Sequence, residues 1–256
     1  MSSVLIIGAT RGLGASLVKA FAQDASTDVY GTSRSSSIPT EPNGDIHWIT
    51  SIDVASESAG SKLADSLKGK TIDIVVITAG YFPDESFDEP NWEAEIKTYT
   101  ISSIGPVFIV AALVKAGILQ KGSKAILVSS EAGSITLRDE SEGGGKYAHH
   151  ASKAALNMVG KLLSFDLKDK GIAVGLVHPG FMRTEMTKSV GFDQFWDEGG
   201  AITPDEAAKS LIEFTVSFDI NKTGQFWAPR GPADIGTVEK VLGKKSELPT
   251  PLQLPW

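Results

Sequence analysis

The chain has no cysteine among its 256 residues. That removes disulfides, thiolate metal sites and cysteine nucleophiles together, and no metal centre is expected. It is also compatible with a reducing, cytoplasmic location. Basic charge is short as well: 24 Lys and Arg stand against 31 Asp and Glu, a formal net charge of −7. Nucleic acids and anionic membrane surfaces call for a basic face, so neither is expected as a partner. Long apolar runs are missing. The longest, VFIVAALV at 107–114, falls well short of the roughly 20 residues a bilayer-spanning helix needs. An apolar strand pattern begins at Val4, which leaves no room for a signal peptide. The remaining composition, 41% hydrophobic and 21% charged, is that of an ordinary globular protein.

What is present starts at the N-terminus. The apolar run VLII at 4–7 stops at Gly8, ATRGLG follows, and an amphipathic stretch begins with Leu13, Leu17, Val18 and Phe21. Glycines thus fall at 8, 12 and 14 between a buried strand and a helix start. Such a turn lets backbone approach a pyrophosphate, and the helix N-terminus offers free N–H groups and a positive dipole end. A tight strand-to-helix turn without a ligand uses glycine too. The flanking strand and helix patterns favour the dinucleotide reading.

Further along, strand-like runs alternate with helical patterns. Strands are predicted at 29–32, 47–49, 72–80, 124–130, 172–180 and 224–227, and helices at 147–167 and from Pro204 to about Phe214. Two more helical stretches are expected after the fourth strand, split near Gly105 and Pro106. Strands apolar throughout, with helices between them, imply a parallel sheet covered on both faces. The predicted fold is therefore α/β: one doubly wound Rossmann-type domain over 1–256, with a parallel seven-stranded sheet. The domain includes a substrate loop at about 181–203 and an extended, proline-bearing tail at about 244–256. The tail is expected along a surface or a neighbouring subunit.

The order of motifs resembles the short-chain dehydrogenase/reductase family. It runs GATRGLG, Asp53-Val54 after strand three, TAG at the end of strand four, VSSEAGS, ASKAAL on a helix, then HPGFMRT. The whole is similar to the compact carbonyl-reductase branch that includes sniffer-type proteins, with a fungal-looking tail. The resemblance implies that Gly8, Thr10, Arg11, Gly12, Leu13 and Gly14 hold the pyrophosphate and adenosine ribose. Asp53 and Val54 would sit at the adenine and Ala79 and Gly80 at a ribose. Pro179, Gly180 and Thr184 would take the nicotinamide end. Ser130, at the S-x-x-G position, matches the substrate-polarising serine, with Ser129 second. Homodimers or homotetramers are common in the family. NAD binders usually place an acidic residue after strand two to hold the ribose 2′-hydroxyl. Here the strand runs into TSRSSS, and Arg34 with Arg11 suits a 2′-phosphate instead, so NADP(H) is the expected cofactor.

One position breaks the family's pattern. The family places a tyrosine four residues before the lysine on one helix face. The lysine is Lys153, and four residues earlier stands His149. Tyr147 is six residues before Lys153, about 240° round the helix. The asparagines of helix four and of strand four align with Ser102 and Thr78. The cofactor set is intact while the proton relay is altered. Lys153 and the helix N-terminus would both lower the His149 pKa and favour neutral imidazole. His150 would be structural or lie at the rim.

Phe181, Met182, Met186, Phe192, Phe195 and Trp196, with Tyr81 and Phe82, would form an apolar lid. A small-molecule substrate, apolar or aromatic, is expected. Glu131, Arg138, Asp139 and Glu142 are either substitutes in acid–base chemistry or a solvated loop. Three functions fit. One is an NADP(H)-dependent carbonyl reductase or alcohol dehydrogenase using Ser130, His149 and Lys153. The second is a non-redox isomerase, dehydratase or cyclase on the same scaffold. The third is an NADP(H)-binding sensor.

Overall fold

The computed structural model describes residues 2–256. Strand β1 (Ser2–Ile7) leads into helix α1 (Gly12–Phe21), followed by β2 (Thr27–Thr32), β3 (Ile46–Ile49), α2 (Ala59–Ser66) and β4 (Ile74–Ile77). Next come α3 (Trp92–Tyr99), α4 (Gly105–Lys115), β5 (Lys124–Val128), α5 (Tyr147–Lys168) and β6 (Ala173–Val177). The chain closes with α6 (Glu185–Lys188), α7 (Pro204–Ser217), β7 (Gln225–Ala228), α8 (Val238–Leu242) and β8 (Leu252–Gln253).

The sheet order is β3-β2-β1-β4-β5-β6-β7-β8, parallel except for the last pair. Eight strands replace the expected seven. The tail runs along the molecular surface and adds the edge strand: Leu252 and Gln253 pair with Ala228 and Trp227. Trp256 then stacks on Phe226 with ring centroids 6.0 Å apart.

Alternate residues along the strands feed two cores. Val4 and Ile6 pack with Leu13, Leu17 and Val18 of α1 and Leu211 of α7. Leu5 and Ile7 pack on the opposite face with Leu63 of α2, Ile109 of α4 and Leu156 of α5. Pairing of Ile7 with Ile77 and of Val128 with Val177 aligns the strand ends. The glycine turn, Thr78, Ser129 and His178 therefore emerge along one edge. The strand order reverses between β1 and β4, which run parallel, and a crevice opens at that switch point.

Helix α4 starts at Gly105-Pro106, where a division was expected, but the chain does not leave the helical path. A π-helical turn (Thr100–Ile104) joins α3 and α4 into one run, Trp92–Lys115. By length and composition alone this run could cross a membrane, contrary to the sequence expectation; half of it is buried inside the fold. A core helix passes the same test. Ser103 Oγ donates to the Ser152 carbonyl at 2.9 Å and ties the π turn to α5.

Candidate active site

One cleft of about 1360 Å³ runs along the strand C-termini. Small-molecule pockets usually span about 300–1,000 Å³, so it has room for a dinucleotide and a second molecule. At one end is the glycine turn. A Cβ on Gly14 would lie 2.1 Å from the Gly8 carbonyl oxygen, so only glycine lets α1 come this close to β1. Arg11, the N-cap residue, gives α1 no side-chain hydrogen bond, and no acidic residue sits in the first turn. The first N–H groups of α1 remain available to an anion. Thr78 Oγ1 donates to the Ile7 carbonyl at 2.9 Å and pins the turn to β4. Thr10, Gly12, Leu13, Arg34, Asp53 and Val54 line this end of the cleft; Ala79 and Gly80 line its middle. These residues fit a dinucleotide pyrophosphate.

At the other end the turn after β5 carries two serines with different fates. Ser129 is buried, and its Oγ donates to Asn157 Oδ1 at 2.7 Å. Asn157 in turn donates to the Gly133 carbonyl at 3.2 Å, locking this turn against α5. Ser130 is half-buried, and its Oγ accepts only the Ala132 N–H, at 3.2 Å. Its hydroxyl proton is free for a ligand.

Helix α5 begins at Tyr147, so His149 and Lys153 stand one turn apart on one face. Tyr147 is exposed and outside the cleft wall. The His149 ring stacks on Phe82, centroids 3.9 Å apart and 13° from parallel. Its Nδ1 is enclosed and has no hydrogen-bond partner, which leaves Nε2 as the nitrogen available in the cleft. Burial holds its pKa well below the usual histidine value, with Lys153, then His150 and Arg138, adding to the effect. Burial, rather than the expected Lys153 charge, is the largest cause. Lys153 is buried, its Nζ donates to the Val128 carbonyl at 2.7 Å, and burial lowers its pKa to about 8.

Sequence reasoning missed Glu85. This buried carboxylate accepts the Ala148 N–H and caps α5 from the loop after β4. Lys146, the N-cap residue, supplies no cap of its own. Nothing near Glu85 in the sequence signals a helix over 60 residues away.

Phe82, Phe181 and Phe192 form an aromatic wall, with Phe192 edge-on to Phe82 at 5.6 Å and to Phe181 at 6.4 Å. Trp196, expected in this lid, turns away: its Nε1 donates to Thr187 Oγ1 at 3.3 Å and Arg183 lies over its ring. Arg138 joins Glu131 and, at 3.2 Å, Glu142 in an ionic cluster on the opposite wall. Asp139 leaves that cluster for Lys240, at 2.6 Å. His150 lines the cleft beside it. Pro179, Gly180 and Thr184 line the cleft next to β6.

The short chain dehydrogenase family pattern matches residues 2–194. A dehydrogenase of Rhodococcus acting on 1-hydroxy-2-glutathionyl-2-methyl-3-butene is 30% identical over 235 residues, covering 88% of this chain and 96% of the relative. An uncharacterized oxidoreductase of Saccharomyces cerevisiae is 30% identical over 246 residues, 87% and 93% of the two chains. The carbonyl reductase Sniffer of D. melanogaster superposes with a TM-score of 0.77 at 23% identity over the full length of both chains. NADPH-bound carbonyl reductase from chicken fatty liver does so at 0.73 and 22%, covering 90% and 97%. The chain belongs to the short-chain dehydrogenase family and is an oxidoreductase of that type.

Proposed function

We propose that this protein is an NADP(H)-dependent carbonyl reductase or alcohol dehydrogenase in which neutral His149 takes the place of the usual phenol. One observation carries the reading: the His149 ring is stacked in the cleft wall, one helical turn from Lys153, with only Nε2 open to a ligand. An enclosed Nδ1 without a partner favours its lone-pair form, so the proton sits on Nε2. Ser130 Oγ–H and His149 Nε2–H then donate to a substrate carbonyl oxygen. When bound, a nicotinamide supplies hydride to the carbonyl carbon, or accepts it from the alcohol. The two donors stabilise the alkoxide, and a proton from solvent water completes the alcohol. Lys153 spends one N–H on Val128, and the other two can hold ribose hydroxyls. Its charge favours the developing oxyanion. The aromatic wall supports an apolar or aromatic substrate.

For the cofactor's adenosine end, Arg11 and Arg34 line the cleft and pair with no carboxylate among the described residues. Two unpaired guanidiniums suit a 2′-phosphate. The NADPH bound to the chicken carbonyl reductase supports the same choice. Arg34→Leu is expected to cut the preference for NADPH over NADH by about ten- to a hundredfold in kcat/KM. An unchanged ratio would assign the phosphate elsewhere.

The decisive assay mixes protein, stoichiometric NADPH and a panel of aryl ketones while absorbance at 340 nm is followed. Loss of absorbance with alcohol formed supports the reductase. Product without nicotinamide oxidation would establish the isomerase, dehydratase or cyclase reading, which the partnerless Ser102 hydroxyl in the altered relay motivates. Tight NADPH binding with no product would leave a sensor. That the Rhodococcus relative is a dehydrogenase supports hydride chemistry.

Two neighbouring helical surfaces expose apolar side chains: Ile96, Ile104 and Phe108 along α3 and α4, and Met158, Leu162 and Phe165 on α5. So large a patch suits association of copies of this chain, as a homodimer or homotetramer. Light scattering is expected to give a dimer or tetramer mass, and Leu162→Glu with Phe165→Glu a monomer. A monomeric wild type would end this assignment.

A further inference from the structure

We propose that Asp234 is a positioning residue for the nicotinamide end of the cleft, setting the turn at 179–181 from outside the family's motifs. The inference rests on the nicotinamide-nucleotide reading above. Asp234 lies between β7 and α8, more than fifty residues after the turn it holds. Its Oδ2 accepts the Phe181 N–H at 2.7 Å. The same oxygen packs on Gly180, whose φ is +106°; a Cβ there would lie 2.6 Å from it and 3.3 Å from both Arg230 Cδ and Ile202 Cδ1. The carboxylate thus occupies the space a side chain would need. It also requires glycine at the one place where the backbone turns toward the cleft.

The other side of the turn is equally constrained. The Phe181 carbonyl accepts the Ile202 N–H at 2.9 Å, and the Arg183 N–H donates to the Ile202 carbonyl at 2.8 Å. Thr187 Oγ1 donates to the Met182 carbonyl at 2.7 Å. Among Phe181, Met182 and Arg183, only the Met182 N–H has no partner within the described residues. Met182 lines the cleft, as does Gly180, whose N–H also lacks a partner, and the Met182 donor is available to a carboxamide oxygen. Asp234 and Ile202 together hold residues 181–183 through these hydrogen bonds and fix where that donor stands.

The segment carrying Asp234 is itself anchored. Ile235 and Val238 are fully buried, and Thr237 Oγ1 donates to the Leu137 carbonyl at 2.8 Å. Stability alone does not account for an aspartate here. Its Oδ1 is enclosed and has no partner, and so is Arg230 Nε. Enclosed polar atoms without partners weaken a fold. Holding the Phe181 N–H at a set position is what the carboxylate does.

The test is equilibrium titration of NADPH and of 2′,5′-ADP, a probe that lacks the nicotinamide, against wild type, Asp234→Ala and Asp234→Asn. The Asp234→Ala protein is expected to bind NADPH about tenfold more weakly while 2′,5′-ADP changes less than about twofold. Asp234→Asn keeps an oxygen acceptor and is expected to restore most NADPH affinity. Equal weakening of both ligands would show a merely structural residue and overturn the proposal, as would unchanged NADPH binding in Asp234→Ala. A wild type that binds neither ligand would instead remove the nicotinamide reading and this inference with it.

Discussion

Phenylalanine in place of His149 is expected to lower kcat by about a hundredfold or more, with NADPH affinity within about twofold of wild type. The substitution keeps a flat ring in contact with Phe82 at the site where the imidazole now stacks at 3.9 Å. It removes both ring nitrogens, of which only Nε2 faces the cleft. A drop in kcat with unchanged cofactor binding marks a group used in the chemistry. Retention of wild-type kcat by His149→Phe would place the reaction elsewhere in the cleft. His149→Tyr is the informative companion. Its hydroxyl would reach beyond the imidazole edge beside an ammonium that lowers a phenol pKa, so ordinary ketone reduction is expected to persist or rise.

The pH dependence separates imidazole from phenol. Because burial and Lys153 hold the His149 pKa well below 6.5, the ring is neutral through the usual histidine range. Its Nε2–H is already present there, so kcat/KM is expected to be flat across that range. The alkaline limb belongs to Lys153, whose pKa is lowered to about 8. Above it the ammonium charge fades and the rate falls.

Much of this was readable in advance, for a physical reason. Buried parallel strands are apolar throughout, so β1, β4, β5 and β6 announce themselves. The glycines at 8, 12 and 14 sit where the backbone must come close. His149 stands out because the family resemblance implies a tyrosine four residues before Lys153, and helical spacing puts both side chains on one face. What escaped was whatever depends on contacts distant in sequence. Strand β8 is two residues long beside Pro251, too short for any periodicity. Glu85 caps a helix from another loop, and Asp234 holds a turn from beyond β7. Composition places Trp196 in the lid, but its indole N–H donates to Thr187 Oγ1 instead. The glutamates beside Arg138 were ambiguous because only the fold shows that Glu131 and Glu142 face the cleft while Asp139 meets Lys240.

Lys153→Met is expected to stabilise the cofactor-free protein while abolishing turnover. Lys153 is buried with one hydrogen bond, to the Val128 carbonyl, and burial brings its pKa from 10.5 down to about 8. The fold therefore disfavours the ammonium form. The direction of the linkage is fixed by that depression. The penalty is fully present below about pH 8, fades as pH rises toward 10.5, and is absent above it. Its full size is on the order of 3 kcal/mol. Loss of the Val128 hydrogen bond offsets about 1 kcal/mol of the gain. A net gain of about 1–2 kcal/mol corresponds to a rise of several degrees in Tm for a chain of this size. Methionine fills similar volume without charge, and replacing an uncompensated buried ion in this way commonly stabilises. Thermal melts of wild type and Lys153→Met, without cofactor, should differ most at neutral pH and converge at alkaline pH. A Lys153→Met protein that melts lower than wild type at neutral pH would show that the ammonium is compensated by its surroundings. Turnover is expected to fall by at least about a hundredfold. A side chain that weakens the fold and is needed for the reaction is kept for the reaction.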